Sequence, residues 1–342
     1  MSDISPKRLI LLLTGLLFVA AIFTFLGGGI FLISPADESG EEQIVVITEG
    51  LSLKGVAQKL EEKGLIRNRT LFWLWARTMG YARNIKSGEY VMSARLPPVK
   101  ILEKLTRGGV MTHPVTIPEG LTRRQIADLL AVKGLGDKEQ FLALTRDPAL
   151  AKKYGIPGET LEGYIYPDTY HFARGLSARA VIETMINRFW QLVEPLKERA
   201  GEINMDIGEV IILASIVEKE TGKSEERPVI ASVFLNRLKR RMRLDSDPTV
   251  IYGLDNFDGN LTRKDLAKPT PYNTYLIRGL PPGPIANPGI ASIKAVLYPA
   301  RTDYLFFVSK NDGSHYFSKT LAEHNKAVWK YQKRRSKRRK KS

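Results

Sequence analysis

An α+β architecture standing behind one membrane-spanning helix is what this 342-residue sequence predicts, on three observations. An uncharged stretch occupies residues 9–33 near the start. A strand, turn and helix plan is written twice, in 46–65 and again in 116–135. Further along, apolar helical runs are separated by Pro/Gly-rich and aromatic segments too uneven for core strands. With 43% hydrophobic residues the chain buries a substantial core, and its length favours more than one domain. Cysteine is absent, which excludes disulfides, thiolate metal sites and a cysteine nucleophile, and is compatible with export.

Residues 9–33 would form a helix of about 37 Å, enough to cross a hydrocarbon core of about 30 Å with some tilt. A cleaved signal peptide would be shorter and would end in a small-residue A-x-A site, which is missing before Pro35. Lys7 and Arg8 precede the span, while Asp37, Glu38, Glu41 and Glu42 follow it. The positive-inside rule therefore puts residues 1–8 in the cytoplasm and everything after the anchor outside, beginning with a linker over 34–45.

The repeat comes next. VITEGLSLKGVAQKLEEKGL (46–65) matches TIPEGLTRRQIADLLAVKGL (116–135), with Glu49/Glu119, Gly50/Gly120, Leu51/Leu121, Ala57/Ala127, Leu60/Leu130 and Gly64/Gly134 identical. Each copy reads as a short strand, an E-G turn, a helix capped by Ser52 or Thr122, and a glycine stop. The first copy continues into a second helix around 71–79 and a strand near 88–92, a βααβ-like module over 46–112. This plan resembles a LysM module, which implies glycan binding; a duplicated spacer that binds nothing is the alternative. The remainder, 113–329, is the expected catalytic domain and contains the second copy.

Within it, VIILASIV (210–217) is apolar nearly all round and predicts a helix packed inside the domain, with Gly222 as its stop. Glu218 and Glu220 sit in its last turn, where the negative end of the macrodipole and partial burial both raise a carboxyl pKa. Two residues on a helix are about 200° apart, so the two glutamates cannot serve one site together. Glu218 lies over Ile211, Ala214 and Ser215, two of them small enough to leave space for a ligand, which favours it over Glu220 above Leu213, Ile216 and Val217. Solvated or lysine-paired glutamates at a helix end are the alternative.

DPTVIYG (247–253), PYNTY (271–275) and GLPPGPIANPG (279–289) read as site loops, the last a rigid rim. Together with ASIVEKET and the helix PVIASVFLNRL, this succession resembles the endolytic murein transglycosylases, the YceG-like family, in order from about Val46 to about Trp329. The resemblance implies cleavage of peptidoglycan glycan strands, with the first glutamate of VEKET, Glu218, as the catalytic residue. In the family's mechanism one glutamic acid protonates the glycosidic oxygen, and its carboxylate then takes the proton of the 6-hydroxyl of N-acetylmuramic acid. The product is a 1,6-anhydro ring, formed without water by a tethered nucleophile. Penicillin-binding synthases and the elongation machinery are the partners the family implies, and cutting inside nascent strands is implied in the same way.

Asn236, Asp247, Thr249, Tyr252, Tyr272, Asn273, Thr274 and Tyr275 are the candidate sugar contacts, any of which might equally brace a loop. Asp245 and Asp247 are the carboxylates that would turn the chemistry to hydrolysis if one faced Glu218 across a cleft, since a glycosidase needs a pair. Aspartate before Pro248 also suits a plain turn. Tyr164, Tyr166 and Tyr170 in LEGYIYPDTYHF are expected to stack on sugar rings in a groove, or else to be ordinary core residues. The helical stretch 178–201 is structural. His113, His171, His315 and His324 lack ligand spacing, and no cofactor motif is present.

The net charge of +16 is largely a tail: nine positive charges fall in 330–342, leaving +7 elsewhere. Outside the membrane such a tail would meet anionic head groups or acidic wall polymers before nucleic acid, or remain solvated and disordered. A basic nucleic-acid-binding membrane protein is thereby disfavoured. A glycan-binding scaffold without catalysis stays as the alternative to the enzyme.

Overall fold

The computed structural model describes residues 29–81 and 84–333. Most of the expected anchor, 9–28, and most of the basic tail, 334–342, lie outside the described residues; 29–33 are helical. Among the described residues no helix is long and apolar enough to cross a membrane. The fold is mixed α+β with small sheets of three, two and two strands. It divides into two compact units. The first takes the described residues up to Pro114 together with His171–Ser177; the second takes Val115–Tyr170 and the described residues from Ala178 onward.

In the first unit β1 (Glu42–Ile47), β2 (Gly88–Ser93) and β3 (Val110–Met111) form an antiparallel sheet in that order, with Glu42 opposite Ser93 and Ile47 opposite Gly88. Helices α1 (Leu53–Glu62) and α2 (Arg69–Thr78) lie between β1 and β2 in sequence, and α3 (Pro98–Arg107) follows. The expected βααβ plan thus gains one helix and one strand. Val45, Ile47, Val56, Leu60, Phe72, Tyr90, Met92, Ile101 and Leu105 make its core, each at most 1% exposed. Ser52 caps α1 by accepting from the Gly55 amide, and Asn68 caps α2 through Thr70 and Leu71.

Gly64 ends the α1 turn at φ +67°. A Cβ there would meet nothing, so only the left-handed backbone demands glycine. Gly64→Ala is expected to cost about 1 kcal/mol, read from the midpoint of chemical denaturation; an unchanged midpoint would contradict this account of the stop.

The second unit opens with the end of β4 (His113–Thr116), which pairs with β5 (Thr169–Phe172). Between them run α4 (Arg123–Val132), α5 (Lys138–Leu144) and α6 (Pro148–Lys153). Thr122 and Gln125 form a full capping box on α4, the second copy's counterpart of Ser52. The stretch expected as one structural helix is α7 (Ala178–Val193), a turn of 3₁₀ at Glu194–Leu196, and α8 (Lys197–Glu202); Pro195 accounts for the break.

Helix α9 (Ile207–Glu220) is the apolar run expected from VIILASIV, started by an Asp206/Glu209 capping box. Val210, Ile211, Leu213, Ala214, Ser215, Ile216 and Val217 are all fully buried. It stops at Thr221, whose extended backbone (φ −144°) turns the chain out, so the stop is not the glycine at 222. Then come α10 (Arg227–Lys239), α11 (Asp247–Tyr252), a helical turn at Arg263–Leu266, α12 (Ile290–Leu297), the hairpin β6 (Phe306–Ser309) and β7 (His315–Ser318), and α13 (Leu321–Val328). DPTVIY, expected as a loop, is therefore helical: Pro248 sits in the first turn, where a missing N–H costs nothing.

Candidate active site

The segments that the sequence singles out converge on the C-terminal end of α9, but on two faces of it. Glu218 is the more enclosed than its surface position suggests, with a side chain only 5% exposed. One carboxylate oxygen accepts from Arg227 Nη2 at 2.8 Å, the other from the Gly289 amide at 3.0 Å. Arg227 is the first residue of α10, and the same Nη2 lies 3.3 Å from Glu119. A cation at a helix N-terminus and an anion at a helix C-terminus each oppose their own dipole. Here the two disfavoured charges compensate each other.

Two glycines make room for this cluster. Gly120, at φ +76°, brings bare backbone against Glu218, whose Cγ would lie 3.4 Å from an added Cβ. At Gly289 an added Cβ would fall 1.7 Å from a Glu119 oxygen, so any side chain would displace that carboxylate. The two segments are held in register by the Gly120 amide donating to Asn287 O and the Asn287 amide donating to Leu121 O, both at 2.9 Å. Lys219 Nζ adds a bond to Gly120 O at 3.2 Å. The space expected over Ala214 and Ser215 is filled: Ser215 Oγ accepts from the Ile285 amide, and Ile285 is buried.

Asn287 itself is fully buried and knots the rim to the core. Its carbonyl oxygen accepts from the Gly163 and Ile165 amides, and its amide nitrogen donates to Leu121 O and to Glu162. Glu162, also buried, accepts further from the Arg123 amide and from Tyr252 Oη. Burial pushes its carboxyl up to about 7, against the pull of these donors.

Glu220 looks the other way. It is buried, accepts from Ser246 Oγ at 2.5 Å, and lines a cavity of about 490 Å³ with Arg237, Asp245, Asp247, Tyr275 and Phe306. Burial, with the charge of Asp247 adding to it, pushes Glu220 up to about 7. The raised acidity constant expected of this helix end is therefore found at its second glutamate.

Of the candidate sugar contacts, Asp247 and Tyr275 bond to each other at 2.7 Å on the Glu220 face. Tyr252 and Tyr272 pack edge to face at 4.8 Å beside Glu162. The other four brace the fold. Asn236 donates to Thr302 O and Tyr304 O, and Asn273 to Leu266 O and Lys268 O. Thr249 and Thr274 are fully buried and bond each other at 2.8 Å. Asp245 pairs with Arg237 at 2.9 Å, so the bonds of both aspartates run to the Glu220 face. Tyr164, Tyr166 and Tyr170 are core, not groove: each is at most 7% exposed, Tyr164 packs on Phe189, and Tyr170 Oη donates to Tyr166 O. Among the described residues no three His, Asp or Glu side chains converge to hold a metal ion.

Arg227, Glu162, Asn287 and Arg123 are absent from the sequence-based candidates, and Glu119 enters there only through the repeat. Arg227 carries the one usable signal, a cation immediately before the helix-starting Pro228.

The sequence profile of the YceG-like family matches residues 45–330. An endolytic murein transglycosylase of Bacillus subtilis is 33% identical over 326 residues, covering 89% of this chain and 90% of that protein. One from Streptococcus pneumoniae is 28% identical over 327 residues, covering 86% of this chain and 59% of that longer protein. A crystal structure of a yceG-like protein from Listeria monocytogenes superposes with a TM-score of 0.58 at 36% identity, over 84% of this chain and all of that one.

Proposed function

This chain belongs to the YceG-like family, and we propose that it works as a peptidoglycan lytic transglycosylase whose acid and base is Glu218. The observation that carries the assignment is the ring of groups around Glu218: Arg227 and the Gly289 amide on its two oxygens, with Glu119 holding the far side of Arg227.

The proton path follows from that ring. Glu218 gives a proton to the oxygen linking N-acetylmuramic acid to the next sugar, and the C1–O bond breaks as positive charge grows on the muramyl ring. The carboxylate so formed is met by the Arg227 guanidinium and the Gly289 amide. It then takes the proton from the muramyl 6-hydroxyl, whose oxygen closes on C1. The proton lost to the leaving sugar is regained, and the product is a 1,6-anhydro end. In the acid state Arg227 has a second carboxylate to lean on, Glu119, without leaving its place.

Arg227→Met should therefore lower kcat by about 10- to 100-fold with little change in KM, because the group acts on the carboxylate generated during the reaction. Steady-state kinetics on purified glycan strands would check it; a rise in KM alone would make Arg227 a substrate-binding group instead.

Several further elements belong to this reading. The length and flanking charges of 9–33 support a single-pass anchor in the cytoplasmic membrane with the enzyme on the outer side. Tethering near the membrane suits internal cutting of nascent strands beside penicillin-binding synthases. The βαα plan of the first unit, with its partly buried Trp73 and Trp75, supports a LysM-like glycan-holding module.

A second reading has one observation in its favour: the open cavity lies at Glu220, with Asp247 beside it. Glu220 as acid with an aspartate partner would hydrolyse the strand with water. Mass spectrometry of the products released from peptidoglycan by the full chain separates the two. Anhydro-muramic ends lost in Glu218→Gln support the transglycosylase; reducing ends lost in Glu220→Gln support hydrolysis; no products from folded protein support a binding scaffold.

A further inference from the structure

Beside the Glu218 cluster, and joined to it by the same strand of chain, is a second cavity of about 420 Å³. Arg123, Arg124, Gln125, Glu162, Tyr252 and Tyr272 are among its lining residues. Arg123 is the unusual member. It is 8% exposed, yet its Nε and Nη1 have no hydrogen-bond partner among the described residues. The nearest carboxylate oxygen, on Glu162, is 3.7 Å from Nε, close enough for an ion pair and too far for a hydrogen bond. A buried guanidinium with idle donors is costly unless something fills its fork.

Glu162 does not fill it. Its oxygens are committed to the Arg123 amide, Asn287 and Tyr252, and burial pushes its carboxyl toward neutrality. Arg124 stands exposed at the rim and adds a second positive charge, while Tyr252 and Tyr272 supply an aromatic wall. A planar fork with free N–H groups in such a pocket suits one carboxylate.

The distance to the reacting bond fits a particular carboxylate. Gly120 touches Glu218, and Arg123 is three residues further on, so the two stations are at most about 11 Å apart along the chain. In peptidoglycan the muramyl ring carries a short peptide on its lactyl group. At about 3.3–3.6 Å per extended residue, free carboxylates of that peptide come roughly 10–15 Å from the ring. We propose that the Arg123 cavity binds a free carboxylate of the stem peptide on the sugar being cut, so that the enzyme selects peptide-bearing strands over bare ones. This rests on the reading that the scissile bond lies at Glu218.

The test compares three substrates on the full chain: strands with free stem-peptide carboxylates, the same strands with those carboxylates amidated, and strands stripped of peptide by an amidase. The native chain should favour the first by at least about tenfold in kcat/KM over both others. Arg123→Gln should bring that ratio close to one, mainly by slowing cleavage of the free-carboxylate strands. A purely structural role for Arg123 would slow all three alike and leave the ratio intact, which would overturn the proposal. The native ratio needs no substitution, so it decides even if Arg123→Gln does not fold. Equal cleavage of all three by the native chain overturns this inference alone, whereas no anhydro product from any of them overturns the transglycosylase reading and this with it.

Discussion

Glu218→Gln is expected to lower anhydro-product formation by at least about 10³-fold, since one group is asked to act first as acid and then as base and each role contributes about 10²–10⁴. Glutamine matches the shape of the side chain and its carbonyl can still accept from Gly289, but it has no proton to give and no charge for Arg227. Arg227 then keeps only Glu119, at 3.3 Å, and its Nε already lacks a partner among the described residues. Some stability should go as well, on the order of 1–3 kcal/mol, so unfolding midpoints must accompany the rates. A rate loss far larger than the stability loss marks chemistry. Glu220→Gln on the opposite face should stay within about tenfold of the native rate if Glu218 alone moves the proton. The reverse ranking would transfer the acid to the Glu220 cavity and make Asp247 its partner.

That these two glutamates face apart was legible before any coordinates, because helix rotation is a local property. So were Ser52 and Thr122 as caps and Gly64 and Gly134 as stops, all interactions within a few residues. What surrounds each glutamate was not legible. Arg227, Gly289 and Glu119 reach Glu218 across 9, 71 and about 100 positions of sequence, and only the tertiary fold selects them. The repeat shows the limit well. Glu49 and Glu119 occupy the same place in the same E-G turn, yet Glu49 accepts from the Ser177 amide while Glu119 stands at the candidate active site. The tyrosines of YIYPDTY show the opposite failure: their type suits a sugar groove, but Phe189 and Trp190 of α7 cover Tyr164 and make it core. Gly222 misled for a simpler reason, since Thr221 turns the chain first by adopting an extended backbone.

The pH dependence of stability should carry the mark of the other glutamate. Glu220 stands near 7 in the fold against 4.5 for the free group, and Glu162 behaves in the same way. Between those values the native state holds a proton that the unfolded chain has released. The contribution is therefore complete below about pH 4.5 and is lost as pH rises through 7, on the order of 3 kcal/mol for each group. Glu226, held low by its bonds to His315, runs the other way and costs stability only as pH falls through the acid range. The stability maximum should accordingly lie in mild acid. Glu220→Gln tests this directly, because its carbonyl can keep the bond from Ser246 Oγ while the ionisable proton is gone, with Asp247 and Arg237 unchanged across the cavity. Urea unfolding at pH 5, 6, 7 and 8 should show native and variant nearly equal at pH 5, and the variant ahead at pH 8 by about 3 kcal/mol. Curves that stay parallel across the range would mean that Glu220 is ionised in the fold throughout. It would then be unable to serve as a proton donor near neutrality, and the hydrolytic alternative would lose its acid.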